Sequence, residues 1–402
     1  MKRTRLRVEE FAEVRSGGTP ATGTASYWDG GVPWITPKDL AGYEARYISH
    51  GERDISEDGL NNSSATVLPV DTVLLSTRAP VGYVALAEVP LATNQGFKNL
   101  VCVPGTAVPG FVYYLLKQNT RLLESHATGA TFKELSGSRL KSIEFDLPDP
   151  DTQTRIAELL SRYEDLIDNN RRRMALLEEA ARQLYREWFV RLRFPGHEHT
   201  RILNGVPEGW KKKRIGDVAE CVGGGTPSTA VSNYWEEGDV TWVTPTDVTR
   251  NAHFVLLDSE KKITEAGLQN SSAKLVPPHA VLMTSRASVG FFAVAGREVC
   301  TNQGFISIVP HEPALWPYFL LNLSERVEEI RAMGSGSTYP EVSRGKFREL
   351  EVLLPKHAFS AAFCEQATDF LKQIRILKQQ NQRLRAARDL LLPRLMSGEI
   401  AV

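Results

Sequence analysis

The stretch GGTPATGTASYWDGGVPWITPKDL, Gly17 to Leu40, returns later in the chain as GGTPSTAVSNYWEEGDVTWVTPTDV, Gly224 to Val248. Thr19-Pro20 faces Thr226-Pro227, Tyr27-Trp28 faces Tyr234-Trp235, and Trp34 faces Trp242 after one inserted residue. The match extends outward: GLNNSSA from Gly59 against GLQNSSA from Gly267, STRAPVG from Ser76 against TSRASVG from Thr284, TNQGF identically at Thr93 and Thr301, and GATFKELS from Gly129 against GSTYPEVS from Gly336. Both runs close on a Leu-Pro, Leu147-Pro148 and Leu354-Pro355. Self-similarity of this kind governs every later assignment. The chain holds two tandem copies of one unit of about 200 residues.

Each copy divides in two. Its first part is rich in Gly, Pro, Thr and Val, with short apolar runs such as DTVLLSTRAPVGYVALA broken by turn residues, a pattern that predicts a largely β head. After the Leu-Pro the period changes. Ile156, Leu160, Tyr163, Ile167, Asn170, Met174, Leu177, Ala181, Leu184 and Trp188 follow in steps of four and three, as do Phe363, Ala367, Phe370, Ile374, Leu377, Asn381, Leu384, Arg388, Leu391 and Leu395. These are heptad seams, and each carries one asparagine, a residue that fixes register at a cost in stability. We expect the two helices to pair with each other, through Ile167, Asn170, Met174 and Leu177 on one and Ile374, Leu377, Asn381 and Leu384 on the other. A helix of about 38 residues spans about 57 Å, and a pseudo-twofold repeat makes the pair antiparallel. The expected fold is α+β: two similar β-rich domains separated by two long helices in an antiparallel coiled coil. The expected boundaries are 1–150 for the first head, 151–193 for the central helix, 194–357 for a linker and the second head, and 358–402 for the C-terminal helix.

Length and composition agree with such a design. The 402 residues exceed one ordinary domain, and 42% apolar with 24% charged residues is ordinary for a folded chain. No apolar run approaches a membrane span and no signal-peptide core follows the basic N-terminus, so no membrane association and a cytoplasmic location are expected. The cysteines Cys102, Cys221, Cys300 and Cys364 lack paired spacing, which speaks against a zinc or disulfide framework. Forty-eight basic residues balance 48 acidic ones. A lone nucleic-acid binder is more often basic, but local clusters at Asn169–Met174 and Trp210–Arg214 suit a binder working inside a larger complex.

Catalytic motifs are missing from the sequence. GGGTP at Gly223 lacks the Gly-Lys-Ser/Thr of a P-loop. No Asn/Asp-Pro-Pro-aromatic segment is present to hold a flipped adenine, and no Phe-x-Gly-x-Gly loop to hold S-adenosylmethionine. HEH at His197 lacks a second ligand pair, LPDP at Leu147 lacks the acid-x-lysine of a nuclease and reads as a helix start, and GSGS at Gly334 lacks its third glycine.

Taken together, GGTP…YW…(P/T)W(I/V)TP.D, NSSA, (S/T)RA.VG, TNQGF and GxTxxE(L/V)S in each head, with a long helix after each, resemble the DNA-specificity subunit of type I restriction-modification systems over essentially the whole chain. The resemblance implies a subunit without catalytic activity or cofactor of its own. Each head would be a target-recognition domain reading one half of a bipartite site in double-stranded DNA. The helices would set spacing and dock two modification subunits, which methylate adenine with S-adenosylmethionine; restriction subunits using ATP and magnesium would join. Two alternatives stand beside it: a coiled-coil scaffold with two non-DNA ligand-binding heads, and a degenerate methyltransferase or nuclease.

On that reading, base edges are read by paired donors and acceptors and phosphates by Lys, Arg, Ser, Thr and amides. The candidates are Thr36, Lys38, Thr244 and Thr246 in the TP.D turns, Arg78 and Arg286 in the RA.VG segments, and Thr131, Lys133 and Thr338 in the GxTxxE segments. Arg46, Arg53, Arg250, Lys261 and Lys262 join them from the segments that diverge most, Ala41–Asp58 and Thr249–Ala266. Asp39 and Asp247 either accept from cytosine or cap the next turn. The tryptophan pairs and TNQGF read as framework. Heads this alike predict partly similar half-sites in a rough inverted repeat.

Overall fold

A computed structural model describes residues 3–78, 80–129, 133–334 and 340–402. The chain forms two compact units that do not follow chain order: Met1–Asp168 with Gln382–Val402, and Asn169–Asn381. The boundaries expected from sequence followed the change of period; the compact units instead each take part of both long helices.

The duplication is visible in the sheets. In the first unit a five-stranded sheet runs Ala12–Ser16, Phe97–Cys102, Val73–Thr77, Val81–Ala87, Tyr47–Ile48, and a three-stranded one runs Arg53–Ile55, Trp28–Ile35, Ala92–Thr93. Arg3–Arg7 pairs with Glu144–Pro148. The second unit repeats the order with Ala219–Gly223, Phe305–Pro310, Val281–Thr284, Phe292–Ala295, Val255–Leu256, then Lys261–Ile263, Val240–Val243, Cys300–Thr301. There Lys211–Arg214 pairs with Glu351–Leu354. The central strands Val73–Thr77 and Val281–Thr284 are buried along their length, as continuous apolar runs require.

The repeated motifs lock to one another. The Trp34 indole donates to the Gly18 carbonyl at 3.0 Å and Trp242 to Gly225 at 2.9 Å. Gly18 N donates to Thr93 O at 2.9 Å, and Gly225 N to Thr301 O at 2.8 Å. A Cβ on Gly18 would lie 2.3 Å from Ala65 N, and one on Gly225 would lie 2.2 Å from Ser272 Oγ, so only glycine admits this approach. Trp28 meets Trp34 edge-on at 5.2 Å and Trp235 meets Trp242 at 5.0 Å. GGTP, the tryptophan of Trp34 and Trp242, NSSA and TNQ are thus one knot, present twice.

The first long helix, Pro150–Tyr185, starts where Asp149 caps it: Thr152 donates from N at 3.0 Å and from Oγ1 at 2.8 Å. Proline in the first helical position fits, because no intrahelical N–H is needed there. Buried Gln153 ties the helix to its head, donating to the Thr106 and Pro148 carbonyls and accepting from Val108 N. The helix ends in a single π turn, Arg186–Val190. The second, His357–Ser397, stops at Gly398, whose φ of 79° is the left-handed C-terminal cap.

The helices pair antiparallel inside each unit. In the first, Ile156 and Leu160 share a core with Leu392 and Leu395, and Glu164 meets Arg388 at 3.2 Å. In the second, Met174, Ala181, Tyr185 and Trp188 share a core with Phe363, Ala367, Leu371, Ile374 and Leu377. There Asn170 Nδ2 donates to Asn381 Oδ1 at 2.8 Å, both side chains buried. Ile167 is buried in the seam; Leu177 and Leu384 are half-buried. Four seam positions differ from expectation: Glu164, Tyr185, Leu371 and Leu392 are buried where Tyr163, Leu184, Phe370 and Leu391 were expected. Glu164 turns inward because Tyr114 Oη donates to it at 3.0 Å and Arg388 and Lys117 flank it.

Candidate nucleic-acid interface

The TP.D turns organise one edge of each head. In the first, Asp39 Oδ2 accepts from Thr36 N at 2.7 Å and Thr36 Oγ1 at 2.6 Å, while Oδ1 accepts from Glu52 N at 2.8 Å. In the second, Asp247 repeats all three bonds with Thr244 N, Thr244 Oγ1 and Glu260 N at 2.7, 2.6 and 2.8 Å. Both carboxylates therefore cap a turn and pin it to the neighbouring edge strand. Of the two roles open in sequence, acceptance from cytosine and capping, the geometry shows capping. The Thr36 and Thr244 hydroxyls are spent as donors in the same bonds. They shape the turn rather than project from it.

Three segments meet at this edge. Thr36, Pro37, Lys38, Arg78, Asn94, Gln95 and Gly96 line an open recess of about 360 Å³ in the first unit. The Asn94 carbonyl group of the side chain accepts from Gly96 N at 2.9 Å, and Asn302 does the same for Gly304. The Gln95 side-chain oxygen accepts from Thr19 Oγ1, as Gln303 does from Thr226. TNQGF thus supports the framework as read from sequence, but it also sets Gln95 and Gln303 on the surface with the amide nitrogen unpaired among the described residues. Sequence reasoning passed over these two. The signal was their exact recurrence beside the knot.

The remaining cations border the same edge. Arg53 and Lys261 open the matched edge strands, opposite Trp34 and Trp242. The Arg53 guanidinium lies over the Trp28 ring at 4.2 Å with Asp29 3.5 Å away, and Lys261 is exposed without a carboxylate partner among the described residues. Lys38 pairs with Glu52 at 2.6 Å, Lys262 with Asp258 at 3.5 Å, and Arg250 with Glu260 at 3.9 Å. Exposed pairs such as these contribute about 0–1 kcal/mol and open readily to another anion. The Glu52 contact raises the Lys38 pKa, keeping it charged. Thr246 and Lys133 are exposed; Arg286 pairs with Glu341 at 3.0 Å.

Arg46 corrects the sequence expectation of an outward reader. Its side chain is 15% exposed, reaches Asp165 of the first long helix at 3.1 Å and lies 5.0 Å from the Tyr47 ring centroid. A base-reading arginine needs a free, projecting fork; this one joins head to helix. Its matched residue in the second head is Phe254, buried in the core. Thr131 and Thr338 lie outside the described residues.

Among the described residues, no group of three or more His, Cys, Asp or Glu is placed to hold a metal ion. The cysteines are unpaired, and burial pushes Cys221 up to about 11 and Cys102, Cys300 and Cys364 up to about 12, far from the thiolate form that nucleophilic chemistry needs. No helix among the described residues is long and apolar enough to cross a membrane.

Comparison with known proteins places this architecture. The model of the "Type I restriction modification DNA specificity domain" matches residues 4–179 and 207–386, once per copy. The chain is 32% identical over 408 residues to the type I restriction enzyme MjaIX specificity subunit of Methanocaldococcus jannaschii, covering 98% of this chain and 93% of that one. It is 21% identical over 371 residues to the HindI specificity subunit of Haemophilus influenzae, covering 75% and 80%. The fold resembles the crystal structure of a type I restriction-modification S subunit from M. genitalium, with a TM-score of 0.63 at 15% identity over 98% and 96% of the two chains. Two copies of the knot, two paired helices and a full-length match agree, and the chain belongs to the type I restriction-modification DNA specificity family.

Proposed function

We propose that this chain is the non-catalytic subunit that reads a bipartite site in double-stranded DNA and directs adenine methylation and restriction by partner subunits. The observation that carries the reading is the division of labour in each head: an invariant knot beneath, and exposed cations that differ between copies at the matched edge. Readers of two half-sites need one scaffold and separately adjustable contacts. Lys38, Arg53, Arg78 and Lys133 in the first head and Thr246, Arg250, Lys261 and Lys262 in the second are the proposed contacts, with Thr36 and Thr244 acting through the turn. Arg46 is left out because its charge is committed to the helix, and Arg286 because Glu341 holds it. Two modification subunits would supply S-adenosylmethionine chemistry, restriction subunits would supply ATP- and magnesium-dependent cleavage, and the complex would act in the cytoplasm.

The test is single-molecule methylome sequencing of cells carrying this chain with its neighbouring modification gene, against cells deleted for this chain alone. Loss of one bipartite methyladenine motif is the expected result, with halves that partly resemble each other as an inverted repeat. An unchanged methylome with both proteins expressed overturns the reading.

A further inference from the structure

The recess in the first head is lined by three segments, Thr36–Lys38, Arg78 and Asn94–Gly96, and the matched segments of the second head carry different charge. In the first, Arg78 stands in the wall with no carboxylate within ion-pair distance among the described residues. Its backbone bridges to Glu134, yet the two side chains are not paired. Lys38 lines the same recess, and Lys133 is exposed beside Glu134. In the second, Arg286 bridges the matched Glu341 and is also bound by it, Nε at 3.1 Å and the terminal nitrogen at 3.0 Å. Thr246 replaces Lys38 there and Pro340 replaces Lys133. At the matched place the second head lacks two cations, and its arginine is held by an internal anion.

The first recess offers what a phosphodiester requires. It has a guanidinium fork, an ammonium held only by an exposed pair to Glu52, and the Gln95 amide nitrogen. None of these donors is buried. An anion can therefore be bound without first being stripped of all water. Resting on the DNA reading above, we infer that the recess formed by Thr36, Lys38, Arg78, Asn94 and Gln95 holds a backbone phosphate of duplex DNA, and that its counterpart in the second head does not. The two heads then contribute unequally to the salt-dependent part of binding, the first carrying a phosphate contact that the second lacks.

The test is fluorescence anisotropy of the full chain with a labelled 40-base-pair duplex of random sequence, titrated between 50 and 200 mM salt. Random sequence removes base readout and leaves the phosphate contribution. One phosphate contact adds about 0.9 to the slope of log affinity against log salt, so Arg78→Gln should lose roughly threefold less affinity than wild type across that range. Arg78→Lys should keep the wild-type slope, Arg286→Gln should leave it unchanged, and Glu341→Gln should steepen it by releasing Arg286. Unchanged thermal melts establish that the exposed substitutions leave the fold intact. A wild-type slope that is steep but indifferent to Arg78→Gln, or one reduced equally by Arg286→Gln, overturns this inference and leaves the DNA reading standing. A wild-type chain that does not bind the duplex, or binds it without salt dependence, overturns both.

Discussion

Replacing Asn170 by leucine tests the helix pairing most directly. Asn170 and Asn381 are both buried and share a 2.8 Å hydrogen bond. Either single substitution removes that bond while keeping the other amide in the seam. A buried amide that loses its partner costs about 1–3 kcal/mol. Substituting both asparagines removes both polar groups, and the apolar pair should bring stability back to within about 1 kcal/mol of wild type or above it. The expected coupling energy is therefore about 2–6 kcal/mol, the sum of the two single costs. A chain with two compact units need not unfold in one step, so the assay is native-state hydrogen exchange read on peptides containing positions 170 and 381. At roughly tenfold per 1.4 kcal/mol, each single variant should exchange about 5- to 150-fold faster there, and the double variant should return close to wild type. A double variant as fast as the sum of the singles would refute the reasoning, because the amides would then act independently.

Two further perturbations separate the units. Glu164→Leu takes the buried carboxylate from Lys117 and from Arg388, which keeps the exposed Asp389 at 2.8 Å, and should destabilise the first unit by about 3–5 kcal/mol in chemical unfolding. Adding Lys117→Ser and Arg388→Ala should recover much of this, since the second unit carries Ser324, Ala181 and Leu371 at the matched places; a single variant within about 1 kcal/mol of wild type would contradict it. In the second unit, burial opposes ionisation of Glu178, but His253, the Phe254 N–H and Arg182 outweigh it and hold its carboxyl below the ordinary value. A depressed folded pKa contributes stability above the unfolded value of about 4.3 and loses it as pH falls through the folded one. The stability gap between wild type and Glu178→Gln should thus be constant near neutrality and shrink in acid; a gap that widens in acid would overturn the assignment.

Much of this architecture is legible in the sequence because the chain states it twice. Residues that recur across both copies, such as Trp34 and Trp242 or Gly18 and Gly225, are those that contact one another, so the repeat itself marks the knot. The asparagines were legible because a polar residue in an apolar period stands out. Glu164 and Arg46 were not. Hydrophobic periodicity counts any charge as outward, and nothing local to Glu164 announces that Tyr114, Lys117 and Arg388 converge on it from other elements. Arg46 is paired by Asp165, far along the chain, and its role exists only once the helix lies against its own head. Gln95 was hidden for the opposite reason: its segment reads as framework, and one side chain serves framework and surface together.

The contrast between Arg46 and Arg53 shows what duplication leaves free to change. Both lie in the most divergent segment of the first head. Arg46 faces the helix, and its match, Phe254, substitutes apolar packing for an ion pair. Each solution works only with its own helix, so exchanging these residues between heads would bury either an unpaired charge or an ill-fitting ring. Arg53 faces outward from an edge strand, and its match, Lys261, changes one exposed cation for another without touching the core. Changes at the first kind of position must be made together with the helix, whereas changes at the second kind can be made singly. Because Asp39 and Asp247 fix the turn and the edge strand through identical bonds, that outward edge can vary residue by residue while the knot beneath it stays the same. On the proposed reading, contacts that distinguish one half-site from the other belong on this side of that divide.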